Sequence, residues 1–151
     1  AGGVCGVRGR RAAAVGMWAS PRRYDPQPFH IDPEAAARSP FGGLIASGWM
    51  TAGMMMRLLV DHFISPLSSL GSPGIDELRW TRPVRPGDRI KVRVTVLQVR
   101  RSASKPGRGL MQLQQEVVNQ RGEIVMTVRG WGLYKARGMP AGEQAAASPG
   151  W

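Results

Sequence analysis

The sequence predicts one α+β domain in which an antiparallel sheet curls around a single central hydrophobic helix, and three observations lead there. A chain of 151 residues buries one sizeable core but hardly two. The stretch from Gly48 to Phe63 is apolar on nearly every helical face until Arg57, as expected of a helix enclosed by other structure. Downstream the period switches to two: Ile90, Val92, Val94 and Val96 alternate with Arg89, Lys91, Arg93 and Thr95, the signature of a half-buried antiparallel strand. One buried helix followed by a run of such strands needs no second helical layer.

From Ala1 to Ser20 the chain is mostly Gly, Ala, Arg and Val without an acidic residue, and neither helical nor strand periodicity can be read in it. Residues 1–20 are therefore expected to be an atypical, disordered leader; the domain occupies 21–135, and the Gly-, Ala-, Pro- and Ser-rich stretch 136–151 is a flexible tail. An Arg-Gly-Ala leader is also what a high-GC gene read from a wrong start or frame yields, so an edge of the sheet is expected to be missing. Asp32, Pro33 and Glu34 form an N-cap, a first-turn proline and an acidic first turn, predicting a short helix from Pro33 to Arg38 that stops at Ser39-Pro40. After the central helix come a short strand from Ile75 to Trp80, a turn from Pro83 to Asp88 and the alternating strand, whose phase slips at Leu97 and Val99 as at a bulge. Met111, Leu113 and Val117 mark the next strand. Gln120-Arg121-Gly122 makes a tight turn, and Ile124, Met126 and Val128 mark the return.

Composition narrows the function classes. No run of eighteen uninterrupted apolar residues is present, so no membrane partner is expected. The stretch Ala12 to Trp18 is a weak h-region, leaving the cytoplasm as the default location. Cys5 lies in a Gly-rich stretch with no His or acidic neighbour and is given no role. The formal net charge of +11 raises a nucleic-acid partner, because a basic surface attracts phosphate without any motif. Its cations, among them Arg79, Arg82, Arg85, Arg89, Lys91 and Arg93, are spread over turns and strand faces and are not interleaved with aromatics. Solvated arginines, or arginines that meet the phosphates of a nucleotide-bearing substrate, are the readings preferred to a nucleic-acid surface.

The segment Tyr24-Asp25-Pro26-Gln27-Pro28-Phe29-His30-Ile31-Asp32-Pro33 is the most informative. It sets a carboxylate and an imidazole five positions apart, with two prolines keeping the backbone between them stiff, which suits general acid/base work. Such a pair alone is common, and the bland alternative has Asp25 capping a turn and His30 filling a gap. The residues downstream of the pair change the balance. Phe41-Gly42-Gly43-Leu44 leads to Ser47-Gly48 at the head of the central helix, where free N–H groups and the positive end of the helix dipole await a carbonyl oxygen.

Tyr24 to Met50 resembles the hydratase motif of the MaoC-like acyl dehydratase and (R)-specific enoyl-CoA hydratase family, which has the hotdog fold. The resemblance continues through Asp76-Glu77-Leu78-Arg79-Trp80, Arg82-Pro83-Val84-Arg85-Pro86-Gly87-Asp88 and the hairpin Asn119-Gln120-Arg121-Gly122-Glu123-Ile124-Val125. It implies that Asp25 and His30 are catalytic, activating the water that adds across a 2-enoyl thioester. Ser47, Gly48 and Trp49 would bind substrate, the N–H of Gly48 holding the thioester oxygen. No cofactor and no metal are called for, and an acyl-CoA or acyl-carrier thioester is the expected partner. The sequence departs from the family's pattern at Arg23-Tyr24, where the family has Ser-Gly, and at Gln27, where it has Asn before proline.

Two alternatives stay open: a hotdog thioesterase, whose carboxylate is carried against the helix, and a hotdog module retained only for binding or assembly. The helix has no acidic residue before Asp61, which counts against the first. Met50, Met54, Met55 and Met56 are read as core in preference to an acyl pocket, Trp49, Trp80 and Trp131 as buried anchors in preference to the border of such a pocket, and His62 as a cation at a helix C-terminus. A homodimer or a multiple of one is expected, with Ile90 to Val96 as the pairing edge.

Overall fold

The computed structural model describes residues 4–11 and 21–136. Along the chain run β1 (Val4–Arg11), a helical turn at 21–24, α1 (Pro28–Ile31), α2 (Pro33–Arg38), α3 (Gly48–His62), β2 (Gly74–Trp80), β3 (Arg89–Arg101), β4 (Arg108–Val118) and β5 (Ile124–Lys135). The strands form one sheet in the order β1-β3-β4-β5-β2, every neighbouring pair antiparallel. This is the expected hotdog arrangement, with α3 as the helix inside the curl. Met55, Leu58 and Leu59 of α3 form one core with Ile90, Val92 and Val94 of β3, Leu113 and Val117 of β4, and Val125, Met126 and Val128 of β5.

Local signals account for most boundaries. Asp32 caps α2, its carboxylate accepting from the N–H groups of Glu34 and Ala35, and Ser39 ends the helix. In β3 the alternation is realised, with Ile90, Val92 and Val94 buried between exposed cations. The slip predicted at Leu97 is a register shift between Val96 and Gln98. The turn before β5 holds Gly122 at φ 82°, a conformation that disfavours side chains, and Asn119 braces it by accepting from the N–H groups of Arg121 and Glu123.

Three expectations are corrected. The leader is not without structure: residues 4–11 are β1, paired with β3 from Val4↔Thr95 to Arg11↔Arg89. Its register shifts between Val7 and Arg10, so two short phases replace one readable alternation. Residues 1–3, 12–20 and 137–151, which include most of the leader and tail, lie outside the described residues. Second, β3 is not an edge, because β1 lies on one side of it and β4 on the other; β1 and β2 are the edges. Third, α3 is not enclosed on every face. Trp49 (67 %), Met56 (49 %) and Val60 (53 %) are exposed, and with Gly53, also exposed, their spacing of four, three and four draws one stripe along the helix.

Candidate active site

The site is assembled where the loop before α1 meets the first turn of α3. Asp25 ends the helical turn 21–24, its N–H donating to Pro21 O at 2.8 Å. Pro28 occupies the first turn of α1, and its fixed φ is preorganised for that position. One turn of α1 then turns His30 inward, where it is buried. The loop 43–47 is held by Ile45 N–H donating to Phe29 O and Ala46 N–H donating to Val84 O, which brings Ser47 and Gly48 beside Asp25.

His30 Nδ1 lies 3.0 Å from Ile45 O. A carbonyl oxygen only accepts, so Nδ1 carries the proton and Nε2 faces the site. Nε2 is 3.4 Å from Asp25 Oδ2. That same oxygen accepts from Ser47 Oγ at 2.6 Å, while Asp25 Oδ1 accepts from Gln27 Nε2 at 2.7 Å. The hydrogen bond from Ser47 holds the Asp25 carboxyl below the usual aspartate range; that from Gln27 reinforces it, and His30 adds a smaller effect against the opposing cost of burial. Asp25 is accordingly a carboxylate at neutral pH.

Gly48 is the first residue of α3, a position whose N–H has no intrahelical acceptor. Its carbonyl accepts from Trp80 Nε1 at 2.9 Å, and the indole lies so close that a Cβ on residue 48 would sit 2.6 Å from Trp80 Cε2. The glycine therefore makes room for a tryptophan arriving from β2. Trp49 meets the same indole edge-on, with centroids 5.4 Å apart and planes at 79°. A cavity of about 470 Å³ opens between these groups, with Asp25, His30, Gly48, Trp49, Trp80 and Arg82 among its walls.

Of the five residues singled out in the sequence, four line that cavity together: Asp25, His30, Gly48 and Trp49. Ser47 stands behind them, its hydroxyl committed to Asp25 and not directed at the space a substrate would fill. Sequence reasoning passed over Gln27 as a partner of Asp25, and it preferred Trp49 and Trp80 as buried anchors, whereas both are exposed, at 67 % and 46 %, and wall the site. Gln27 had a signal in an amide two residues from the acid and between two prolines; Trp80 had none, since 32 positions separate it from Gly48.

The sequence profile of the family described as "MaoC like domain" matches residues 22–118, the stretch that carries every side chain of the candidate site. The chain belongs to the MaoC-like domain family. A MaoC-like dehydratase from Rhodospirillum rubrum superposes on this MaoC-like domain with a TM-score of 0.83 at 41 % identity, covering 91 % of this chain and 94 % of that one. The 3-hydroxybutyryl-CoA dehydratase of Methylorubrum extorquens is 37 % identical over 76 residues, 50 % of this chain and 46 % of the relative. The 3-hydroxyacyl-thioester dehydratase Z of Mycobacterium tuberculosis is 33 % identical over 76 residues, 50 % of each. The chain spans about half the length of these curated relatives. No helix among the described residues of the MaoC-like domain is long and apolar enough to cross a membrane.

Proposed function

We propose that this chain adds water to a 2-enoyl thioester, or removes it from the 3-hydroxyacyl thioester, with Asp25 and His30 as the acid/base pair. The observation that carries the reading is the 3.4 Å approach of His30 Nε2 to Asp25 Oδ2 on the wall of a cavity that also reaches the first residue of α3. A water held by both groups adds its oxygen to C3. One of its protons passes to the pair, and a proton is delivered to C2. As the thioester acquires enolate character its oxygen rests at the Gly48 N–H, where the free donors of the first helical turn and the dipole behind them favour negative charge. The names of the relatives, one a CoA thioester dehydratase and one a thioester dehydratase, support the same substrate class.

The acyl chain has a candidate berth about two turns further along α3, in an apolar cavity of about 380 Å³ bordered by Met55, Met56, Leu59 and Trp131. Methionines make such a wall adaptable. Arg82 lines the candidate active site with its side chain 59 % exposed, well placed to meet phosphates on the carrier. Loss of enoyl absorbance across short, branched and medium enoyl-CoA substrates tests the reading directly. Turnover is expected on at least one, with a Michaelis constant that rises with ionic strength while the maximal rate holds. No turnover on any of them, beside tight salt-sensitive binding to random DNA, would reverse it.

A thioesterase is less well supported, because the first acidic residue of α3, Asp61, lies at the far end of the helix and pairs with Arg57. A module that has lost its first strand and serves only for binding or assembly is also less well supported, because β1 is in the sheet.

We also propose a homodimer built on α3 and the β2 edge. Trp49, Met56 and Val60 lie on one face of α3, and Ile75 and Trp80 of β2 are likewise exposed. Each is already partly covered, so covering the rest adds only a part of the roughly 1.5–3 kcal/mol that full burial of an exposed Met, Val or Ile is worth, but the five lie on adjoining elements, and β2 pairs on one side only. Light scattering at micromolar concentration should give twice the chain mass or a multiple of it, and Met56→Asp with Val60→Asp should give monomer with native circular dichroism. A wild type that scatters as a monomer ends this proposal.

A further inference from the structure

A carboxylate attached by a single soft torsion swings freely unless both ends are held, since terminal sp³–sp² torsions have broad wells. In Asp25 both oxygens are engaged: Oδ2 by Ser47 at 2.6 Å and Oδ1 by Gln27 at 2.7 Å. The second bond comes at the expense of a local alternative. Gln27 is the N-cap residue of α1, with φ −72° and ψ 141°, yet its side chain makes no capping bond. Asparagine at this position, as in the family's Asn-Pro step, is among the best N-caps, because its shorter side chain folds back onto the first-turn N–H groups. Glutamine is one methylene longer and reaches the acid instead. Pro26 and Pro28 on either side keep its backbone from drifting.

We infer that Gln27 is a positioning residue for Asp25, its side-chain amide pinning Oδ1 so that Oδ2 is kept facing His30 Nε2 and the cavity. The inference rests on the hydratase reading and adds a part to it. With Oδ1 pinned, the oxygen that shares a water with His30 is always the same one. The bond also favours the ionised form of the acid. The other ionisable groups about this carboxylate are His30 on α1, Arg82 across the same cavity, and Arg22, Arg23 and Tyr24 on the turn that precedes it. Among the described residues, the side-chain hydrogen bonds that lower its proton affinity come from Ser47 and Gln27.

The test uses Gln27→Met, of similar length without a donor, and Gln27→Asn, which keeps the amide but draws it back to the helix cap. Asp25 is followed by its carboxyl ¹³C titration, and activity by kcat, KM and the pH profile of kcat/KM on an enoyl-CoA that the wild type turns over. Both variants are expected to raise the titration midpoint of Asp25, to shift the acid limb of the profile upward with it, and to lower kcat roughly tenfold or more, with KM changed less than about twofold. A merely structural role would leave the midpoint and the limb in place. Should Gln27→Met fold poorly, Gln27→Asn carries the same readouts with a better helix cap. If the carboxyl titration and the acid limb of the folded variants match the wild type, Gln27 does not position Asp25. If instead the midpoint rises but the wild type hydrates nothing, the clamp stands and the hydratase reading falls.

Discussion

Asp25→Asn and His30→Ala are each expected to lower the turnover number for enoyl-thioester hydration by roughly 10²–10⁴-fold, the usual contribution of a positioned acid/base group. The double variant should be little worse than the worse single one, because two groups that handle one water act as a unit. Asp25→Asn should fold: the new amide presents one donor and one acceptor, the Ser47 hydroxyl can rotate, and the Gln27 amide can turn over to offer its oxygen. His30→Ala is harsher than its place at a site suggests. The imidazole is buried, packs edge-on against Phe29 and donates to Ile45 O, so its removal strands a carbonyl at a cost of about 1–3 kcal/mol. His30→Asn, which retains a donor close to the Nδ1 position, separates that structural loss from the chemical one. Steady-state rates of folded variants decide the matter, and near-native hydration by both singles would remove the pair from the mechanism.

The same carboxylate sets a pH dependence with a definite sign. Because hydrogen bonds from Ser47 and Gln27 depress the Asp25 pKa in the folded chain, the ionised group stabilises the fold above the ordinary aspartate range. That contribution disappears as the pH falls through the depressed value. Acid therefore weakens the site loop through Asp25, and alkali does not.

What the sequence makes legible depends on the range of the interactions. The cap of α2 is written within three residues of Asp32, and the alternation of β3 within eight, so both could be read directly. In β1 the register shift at Val7/Arg10 breaks the pattern, and its place depends on a ladder supplied by β3, more than eighty residues away in the pairing Val4↔Thr95. That omission propagated: without β1, β3 looked like a free edge. The exposed stripe on α3 was hidden for a different reason, since a helix apolar on all faces gives no hint which face the sheet leaves open. In the site, Asp25 and His30 stood out because a short proline-stiffened segment carries both. The roles of Ser47 and Trp80 depend on contacts 22 and 32 positions apart, which no local pattern encodes.

The packing of Trp80 on the head of α3 leads to the second large effect. Gly48→Ala is expected to lower turnover roughly 10²–10³-fold, the range seen when a donor to a developing oxyanion is lost. The added Cβ would meet Trp80 Cε2 at 2.6 Å and Nε1 at 2.8 Å, closer than carbon atoms approach without displacement. The indole, bonded through Nε1 to Gly48 O and braced by Trp49, has to leave. It can, because Trp80 is 46 % exposed at the end of an edge strand, so the variant should fold with altered tryptophan fluorescence. Two causes of the lost rate are then separable. If displacement of the indole is responsible, Trp80→Ala alone should cost nearly as much as Gly48→Ala, and the double variant should cost far less than the two combined. If the methyl group itself keeps the thioester oxygen from the Gly48 N–H, Trp80→Ala should be mild and should rescue nothing in the double variant. Gly48→Ala that folds and hydrates at the wild-type rate would mean that the tryptophan wall takes no part in the reaction and that a methyl group at residue 48 does not stand between the thioester oxygen and the backbone N–H.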